Sequence, residues 1–455
     1  MKKFMVICAP VTSSSGYGDH ARDLVRSFMN HNKYDIKIMD VRWGETPRNA
    51  LNKNNTEDKE MLDLIIHENI NKQPDVYVDI RIPNEFDNVG KYNIGITAGI
   101  ETTVISQKWI EGCNKMDLVI VPSEHSKETM INTIYDKFQN LPDGKQGPKV
   151  GELKVTKPVE VLFEGANEDI YKPLDKDEID SEFFDWLNDE VPEKFAFLFL
   201  GQWTKGGYGE DRKDISRLIK IFYEAFANKK KQPALILKTC GATFSVMDRE
   251  ECLKRIKNIK SQFPSDWSLP NVYLLHGEMS DKEINYLYNH PKVKSMVSLT
   301  HGEGFGRPLL EATMVGLPVI TTGWSGHLDF LDKDSCVLIG GRLEDVPKSI
   351  IWKDIIIEGS QWFVVNESDT YKIFNHVFEN PLIASKKADE LMDINRSKFT
   401  LNKMTEKLDK IMKNHMKDVP QQVGLNLPKL KKVNSESNLK EMKLPKLKKI
   451  TKEIS

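Results

Sequence analysis

Leu299–Leu331, LTHGEGFGRPLLEATMVGLPVITTGWSGHLDFL, decides the fold, because it joins a strand, a glycine loop, a helix and a second strand in one stretch. Val293–Thr300 is a short apolar run suited to a buried strand, and it stops at His301-Gly302-Glu303-Gly304-Phe305-Gly306. The three glycines let the backbone come close to a ligand. Pro308 suits the first turn of a helix whose buried side is Leu309, Leu310, Met314 and Val315, and Gly316 with Pro318 ends it. Val319–Thr322 then reads as the next parallel strand. Such units bind ligands beyond the carboxyl ends of their strands, and free amides at the helix start favour a phosphate. The site is therefore expected on the loop from 301 to 308. Two acids sharpen this: Glu303 in the loop and Glu311 one turn into the helix. A carboxylate accepts two hydrogen bonds from a vicinal diol, which suits it to a sugar or a ribose.

Glu303, Gly304, Phe305, Gly306, Pro308 and Glu311 together resemble the E-x7-E signature of retaining GT-B glycosyltransferases, family four or glycosyl transferases group 1, which includes bacterial mannosyl- and glucosyltransferases. The resemblance covers roughly Lys3–Met416. It implies an α/β chain with two Rossmann-like domains, parallel sheets facing across a cleft, and a C-terminal helix crossing back to the first domain. It also implies that Glu303 contacts the donor sugar near the anomeric carbon and that Glu311 contacts the nucleotide ribose. The plainer reading is a solvated loop acid and a Glu that suits a helix N-terminus electrostatically. The glycines, the proline and the flanking strands favour the first.

With 455 residues, 39% hydrophobic and 29% charged, the chain can build two or three ordinary globular domains. No run is long enough to span a membrane, and Met1–Pro10 lacks the apolar region and cleavage site of a signal peptide, so a cytoplasmic location is the default. Cys8, Cys113, Cys240, Cys252 and Cys336 are odd in number and scattered, which argues against a disulfide framework and a zinc site. A net charge of −2 gives no global pull toward nucleic acid or anionic membrane.

Taken in order, Lys3–Pro10 reads as a strand, Val11–Gly18 as a Gly/Ser loop and Asp19–Asn30 as an amphipathic helix. The family has a glycine-rich loop here that closes over the donor, which places Gly16 and Gly18 near the diphosphate; as residues alone they mark only a tight turn. Arg42–Lys59 is read as an exposed loop, Met61–Asn69 as a helix, and Asp75–Ile80, Asn93–Thr97 and Leu118–Pro122 as strands. Glu101 leaves one sheet edge and is the acid expected on the acceptor side of the cleft; a helix-start role is its alternative. Asn140–Thr156, rich in Pro and Gly, is read as a surface loop. The domains are then 1–172, a linker at 173–194, a donor domain at 195–384, crossing helices at 385–417 and a lysine-rich segment at 418–455.

Gln202–Asp214 follows a fully apolar strand, Phe195–Gly201, and carries Lys205, Arg212 and Lys213. Cations on a glycine-bearing loop can neutralise a departing diphosphate. In the family an Arg directly after the strand glycine and a Lys opening the next helix do this. Here the Lys is Lys213, but Gln202 stands where the Arg would be, leaving Lys205 or Arg212 to replace it. His301 either polarises a phosphate or sugar oxygen or is structural, and Trp324 either stacks on a base or fills a gap. Ser280 and Glu283 form a capping box. Beyond Asp345 the pattern is mostly helical, over Asp369–Phe378 and Ala384–Met416.

The resemblance implies transfer of a hexose from a nucleotide diphosphate sugar, UDP- or GDP-linked first, to a hydroxyl of a glycan, lipid or other acceptor. Retention and independence of metal are further family traits, with Glu303, Lys213 and Glu101 carrying the chemistry. A GT-B nucleotide-sugar epimerase, a non-catalytic scaffold and, within the enzyme class, a modified-DNA acceptor are the alternatives. The segment after Asp418 repeats LPKLKK and holds nine lysines against four acids, counting Asp418. It reads as disordered, or as a basic tether to a polyanion, a membrane surface or a protein.

Overall fold

The computed structural model describes residues 2–68, 70–140, 146–241 and 243–416. Its first lobe places β1 (Lys3–Ala9), β2 (Tyr34–Asp40), β3 (Val76–Ile80), β4 (Tyr92–Ile96) and β5 (Leu118–Val121) among the helices α1 (Gly16–Asn30), α2 (Thr56–Asp63), α3 (Gln107–Lys115) and α4 (Glu124–Asn132). A hairpin of β6 (Tyr135–Asn140) and β7 (Gln146–Leu153) precedes β8 (Val159–Val161), which completes a parallel sheet ordered β2-β1-β3-β4-β5-β8. After α5 (Ser181–Glu190), the second lobe builds its own parallel sheet from β9 (Ala196–Leu200), β10 (Ala234–Lys238), β11 (Val272–Leu275), β12 (Val293–Ser298), β13 (Val319–Thr322) and β14 (Val337–Ile339). Between these strands lie α6 (Ile215–Phe226), α7 (Val246–Lys260), α8 (Asp281–Asn289) and α9 (Arg307–Met314).

The second sheet runs β11-β10-β9-β12-β13-β14, so the strand order reverses between β9 and β12. Loops leaving those two strands diverge there and frame a crevice, the place where open parallel sheets take ligands. Phe197, Phe199, Phe222 and Phe226 pack the far face of this sheet and hold β9 against α6. The loop before α6 and the loop before α9 are thereby fixed side by side.

An antiparallel pair, β15 (Gly341–Asp345) and β16 (Gln361–Val365), interrupts the second lobe before α10 (Glu367–Glu379), α11 (Pro381–Lys398) and α12 (Leu401–His415). The single helix expected over Ala384–Met416 is thus two. The chain breaks at Phe399–Thr400, where Thr400 bridges to Ala166 of the first lobe and caps α12. From there α12 turns Met404, Leu408, Ile411 and Met412 inward and hydrogen-bonds α1 through Thr405 and Ser27 (2.8 Å). The last helix therefore crosses back as expected.

Three other expectations are corrected. The exposed loop holds only as far as 55, and the helix expected over Met61–Asn69 is instead α2, which starts at Thr56 because the Asn55 side chain caps it and ends at Asp63; Asn69 itself lies outside the described residues. Part of the surface loop Asn140–Thr156 is β7, and 141–145 are not described. The hairpin of β15 and β16 lies partly in a region read as mostly helical. The reading of 418–455 falls outside the described residues.

The lobes meet through backbone. A side chain begun at Gly304 would stand 2.0 Å from the Ala98 carbonyl oxygen, and one at Gly302 would stand 2.3 Å from that of Glu101. Ser123 donates to the Gly304 carbonyl (2.6 Å), and the amide of Glu124 donates to Asp329 (2.9 Å). From the β15–β16 hairpin, the Gln361 carbonyl accepts from the Thr103 amide (3.0 Å) and the Gln361 amide donates to the Thr103 hydroxyl (2.9 Å). A methyl group at 304 must push the lobes apart. Gly304→Ala should therefore destabilise the fold by about 1–3 kcal/mol, as overpacking does, and urea unfolding monitored by tryptophan fluorescence measures it; an unchanged midpoint would remove this contact from the interface.

Candidate functional site

Four charged side chains converge where the two loops of the crevice meet the first lobe. Lys213 Nζ lies 2.5 Å from Glu303 Oε1, and Arg212 Nη1 lies 2.7 Å from Glu101 Oε1 and 3.8 Å from Glu303 Oε2. Glu303 is only 6% exposed. Burial alone would raise its pKa, but Lys213 and Arg212 outweigh that and hold it below the ordinary carboxylate range. The acid is therefore ionised at neutral pH.

The loop geometry that delivers these groups is tightly specified. Asp211 accepts from the Lys213 amide (3.2 Å), and Asp214 turns the chain into α6 with a left-handed φ of 50°. Behind them the Arg212 carbonyl accepts from the His301 amide (2.9 Å), which ties the β9 loop to the β12 loop. Glu303 is fixed by its own amide, which donates to the Ser325 hydroxyl (2.9 Å), and by its carbonyl, which accepts from Gly326 (3.0 Å).

Glu311 stands in a different environment. Arg307 Nε donates to its Oε1 (2.9 Å), the Tyr288 hydroxyl lies 3.3 Å from its Oε2, and burial pushes its pKa up to about 7. The far edge of the Arg307 guanidinium reaches Asp23 of α1, with Nη1 2.6 Å from Oδ2. Near this junction sit His20 and Glu164, both buried, with 4.0 Å between Nδ1 and Oε1.

Of the residues expected at the site, Glu101, Arg212, Lys213 and Glu303 come together in one charge chain, and Glu311 lies on the adjoining helix. Others do something else. His301 is fully buried, its Nδ1 2.6 Å from the Phe363 carbonyl and its Nε2 3.1 Å from that of Gly209, and it stacks on Trp362 (4.0 Å); it braces the loop rather than presenting a ring nitrogen. Phe305 packs on Phe330 in the core, so only its backbone can face a ligand. Gly304 is required by the lobe contact described above. The Gly18 amide is spent on the Ser15 side chain that caps α1 (3.1 Å), and a side chain there would stand 2.1 Å from the Ser13 carbonyl oxygen, which makes it a residue of the capped first turn of α1. Gly16 has open space around it, and Gly306 opens α9 with a φ of 96°. Lys205 is exposed, and Gln202 points to the Gly241 carbonyl (2.5 Å), so the second cation beside Glu303 is Arg212. Trp324 lies between His125 and Phe363, filling a gap.

Arg307, Asp23, Tyr288 and Glu164 escaped the sequence reading. A lone arginine before a proline, one acid on a helix and another just beyond a strand carry no spacing that marks them. Among the described residues no three His, Cys, Asp or Glu side chains converge as metal ligands would. Also among them, no helix is long and apolar enough to cross a membrane.

Residues 209–345 match the glycosyl transferases group 1 family. The matched segment is less than a third of the 455-residue chain. It begins in the β9 loop, ahead of Arg212, and contains Glu303 and Glu311. Solved structures similar to the whole chain include Anabaena HepE in complex with UDP and glucose, at 12% identity and TM-score 0.57, covering 90% of this chain and 100% of that one. A glycosyltransferase from Rickettsia africae (15%, TM-score 0.58, covering 92% and 99%) and sucrose-phosphate synthase from Thermosynechococcus elongatus (11%, TM-score 0.58, covering 91% and 99%) are also similar. The fold is GT-B. A search of curated protein sequences found no match.

The buried ionisable groups leave a mark on stability. Burial pushes Glu164 up to about 8 from an ordinary 4.5, so the folded chain keeps a proton that the unfolded chain has already released, and raising the pH across that interval costs stability. Burial lowers His20 from 6.5 to about 4, which acts in the opposite sense but only below pH 6.5. Between pH 6.5 and 8.5 the melting temperature should therefore fall as pH rises. Glu164→Gln, which mimics the protonated acid, should flatten that fall and melt higher than wild type at pH 8.5; identical pH profiles in a thermal-shift titration would place the Glu164 proton elsewhere.

Proposed function

We propose that the chain transfers a hexose from a nucleotide diphosphate sugar to an acceptor hydroxyl, with retention at the anomeric carbon and without a metal. The observation that carries this is the pairing of Lys213 and Arg212 with Glu303 in the crevice between β9 and β12. A leaving diphosphate needs positive charge at the point of departure, and fixed charges in a water-poor cleft supply it without reorganisation. Lys213 and Arg212 are the groups for that, with Arg212 serving where Gln202 offers no cation. Glu303, ionised and held by Ser325 and Gly326, faces the donor sugar. Glu311 takes the ribose hydroxyls, and Glu101, the first-lobe member of the chain, stands on the acceptor side. HepE was solved with UDP-glucose, which supports a sugar nucleotide as the donor class here.

In the reaction the acceptor oxygen bonds to the anomeric carbon on the face from which the diphosphate leaves. The bond between that carbon and the phosphate oxygen breaks, and the departing phosphate takes the acceptor proton. Lys213 and Arg212 stabilise the charge that accumulates on the phosphate in this step.

Thermal-shift measurements with UDP-, GDP-, ADP- and dTDP-sugars test the donor. A ligand at about a hundred times its dissociation constant should stabilise the fold by roughly 2.7 kcal/mol. Glu311→Ala should lose most of that shift; equal shifts in variant and wild type would remove Glu311 from the ribose. Glu303→Gln should bind donor yet lose turnover. For Lys213→Ala, kcat should drop by about 10²–10³, as when a donor to a developing anion is removed, and near-normal turnover would take Lys213 out of the reaction.

A further inference from the structure

Glu311 is an acid that the fold makes hard to ionise. It sits in the lobe junction, and the groups facing it are mostly acidic or neutral: Asp281 and the Tyr288 hydroxyl from the α8 side, Tyr171 from the segment after β8, and Asp19 and Glu164 from the first lobe. Arg307 is the cation in contact with it. That guanidinium is itself buried, with 14% of its side chain exposed, and is shared: Nε serves Glu311 at 2.9 Å and Nη1 serves Asp23 of the first lobe at 2.6 Å. A planar guanidinium with donors on two edges can bridge two acids in this way, which an ammonium cannot match.

The protonation state of Glu311 decides what it can recognise. An ionised carboxylate offers only acceptors and can take both hydroxyls of a vicinal diol, whereas a protonated one turns an oxygen into a donor. We propose that Arg307 is a positioning residue that keeps Glu311 in the carboxylate form able to accept a ribose diol, with Asp23 of the opposite lobe drawing part of the same charge. This rests on the reading of Glu311 as the ribose acid and names the group on which that recognition depends.

The arrangement has a directional consequence. Removing the Arg307 charge leaves Glu311 among acids, so its proton is released only at higher pH; an opposite charge at this range moves a carboxyl by about 1–3 units. Removing the Asp23 charge, while keeping an oxygen for the guanidinium, frees the Arg307 field for Glu311 and takes away a neighbouring negative charge. That shifts the release to lower pH. A residue that merely packed the interface would not produce opposite shifts from its two ends.

Calorimetric titration of the full chain with UDP, GDP and ADP, each against its 2′-deoxy counterpart, from pH 6 to 9 tests this. Wild type should prefer the ribose form, and the preference should strengthen as pH rises through about 7, where Glu311 ionises. With Arg307→Gln, a midpoint one pKa unit higher should lower the preference about fivefold at pH 7 and let it return by pH 9. Arg307→Lys, which keeps the charge but cannot serve both acids at once, should give a profile between those of wild type and Arg307→Gln, and Asp23→Asn should move the midpoint down. Should Arg307→Gln fail to fold, the Asp23→Asn shift still decides. If Glu311→Ala abolishes the ribose preference while Arg307→Gln and Asp23→Asn titrate as wild type, the role of Arg307 is overturned and the donor reading stands. If wild type binds none of the three diphosphates, or Glu311→Ala keeps the preference, the donor reading itself falls.

Discussion

Burying Glu303 as a carboxylate is the constraint on which the rest of the second lobe depends. An ion of that size taken out of water costs several kcal/mol after relaxation, and removing one partner of such a buried pair costs about 3–5 kcal/mol because the survivor is left uncompensated. Lys213 and Arg212 meet the requirement only if the β9 loop lies beside the β12 loop. That neighbourhood exists because β9 pairs with β12, and the backbone bond from His301 to the Arg212 carbonyl then fixes the register of the two loops. Sheet order and charge placement are therefore one specification.

The same four-residue chain reaches into the first lobe. Arg212 touches Glu101, and the loop bearing Glu101 is clamped by Gly302 and Gly304 on one side and by Gln361 on the other. The β15–β16 pair thus braces both halves of the junction: His301 stacks on Trp362 while the neighbouring Gln361 holds Thr103. The two lobes are therefore in direct backbone contact at this end of the crevice.

Much of this was legible in Leu299–Leu331, because strand, glycine loop, proline and helix obey local rules that tertiary context did not override. The capping box at Ser280 and Glu283 was legible for the same reason and is present, with the Ser280 amide 2.7 Å from Glu283. What misled was the meaning of glycine. A loop glycine signals a close approach without naming what approaches, and at Gly302 and Gly304 it is the other lobe. His301 misled similarly, since a histidine in a polar loop gives no hint that Phe363, some sixty positions on, will cap its ring (2.6 Å). Helix α2 was missed because TEDKEMLD buries only Asp58 and Met61, too few for a periodicity; what starts it is the cap at Asn55.

The two acids eight positions apart end in opposite electrostatic states. Glu303 has two cations and is held ionised below the ordinary range; Glu311 shares one and titrates at about 7. On the proposed roles, a group near a developing positive centre gains from permanent charge, whereas a group that reads a diol must keep both oxygens as acceptors, which its one shared cation secures. Because the cation serving Glu311 is divided with Asp23 on α1, the charge on Glu311 is tied to the presence of the opposite lobe, while the charge on Glu303 is set mainly within its own. Spacing in the sequence placed the two acids, but the cations around them, Arg212 and Lys213 from the β9 loop and Arg307 from the start of α9, are what make them unlike.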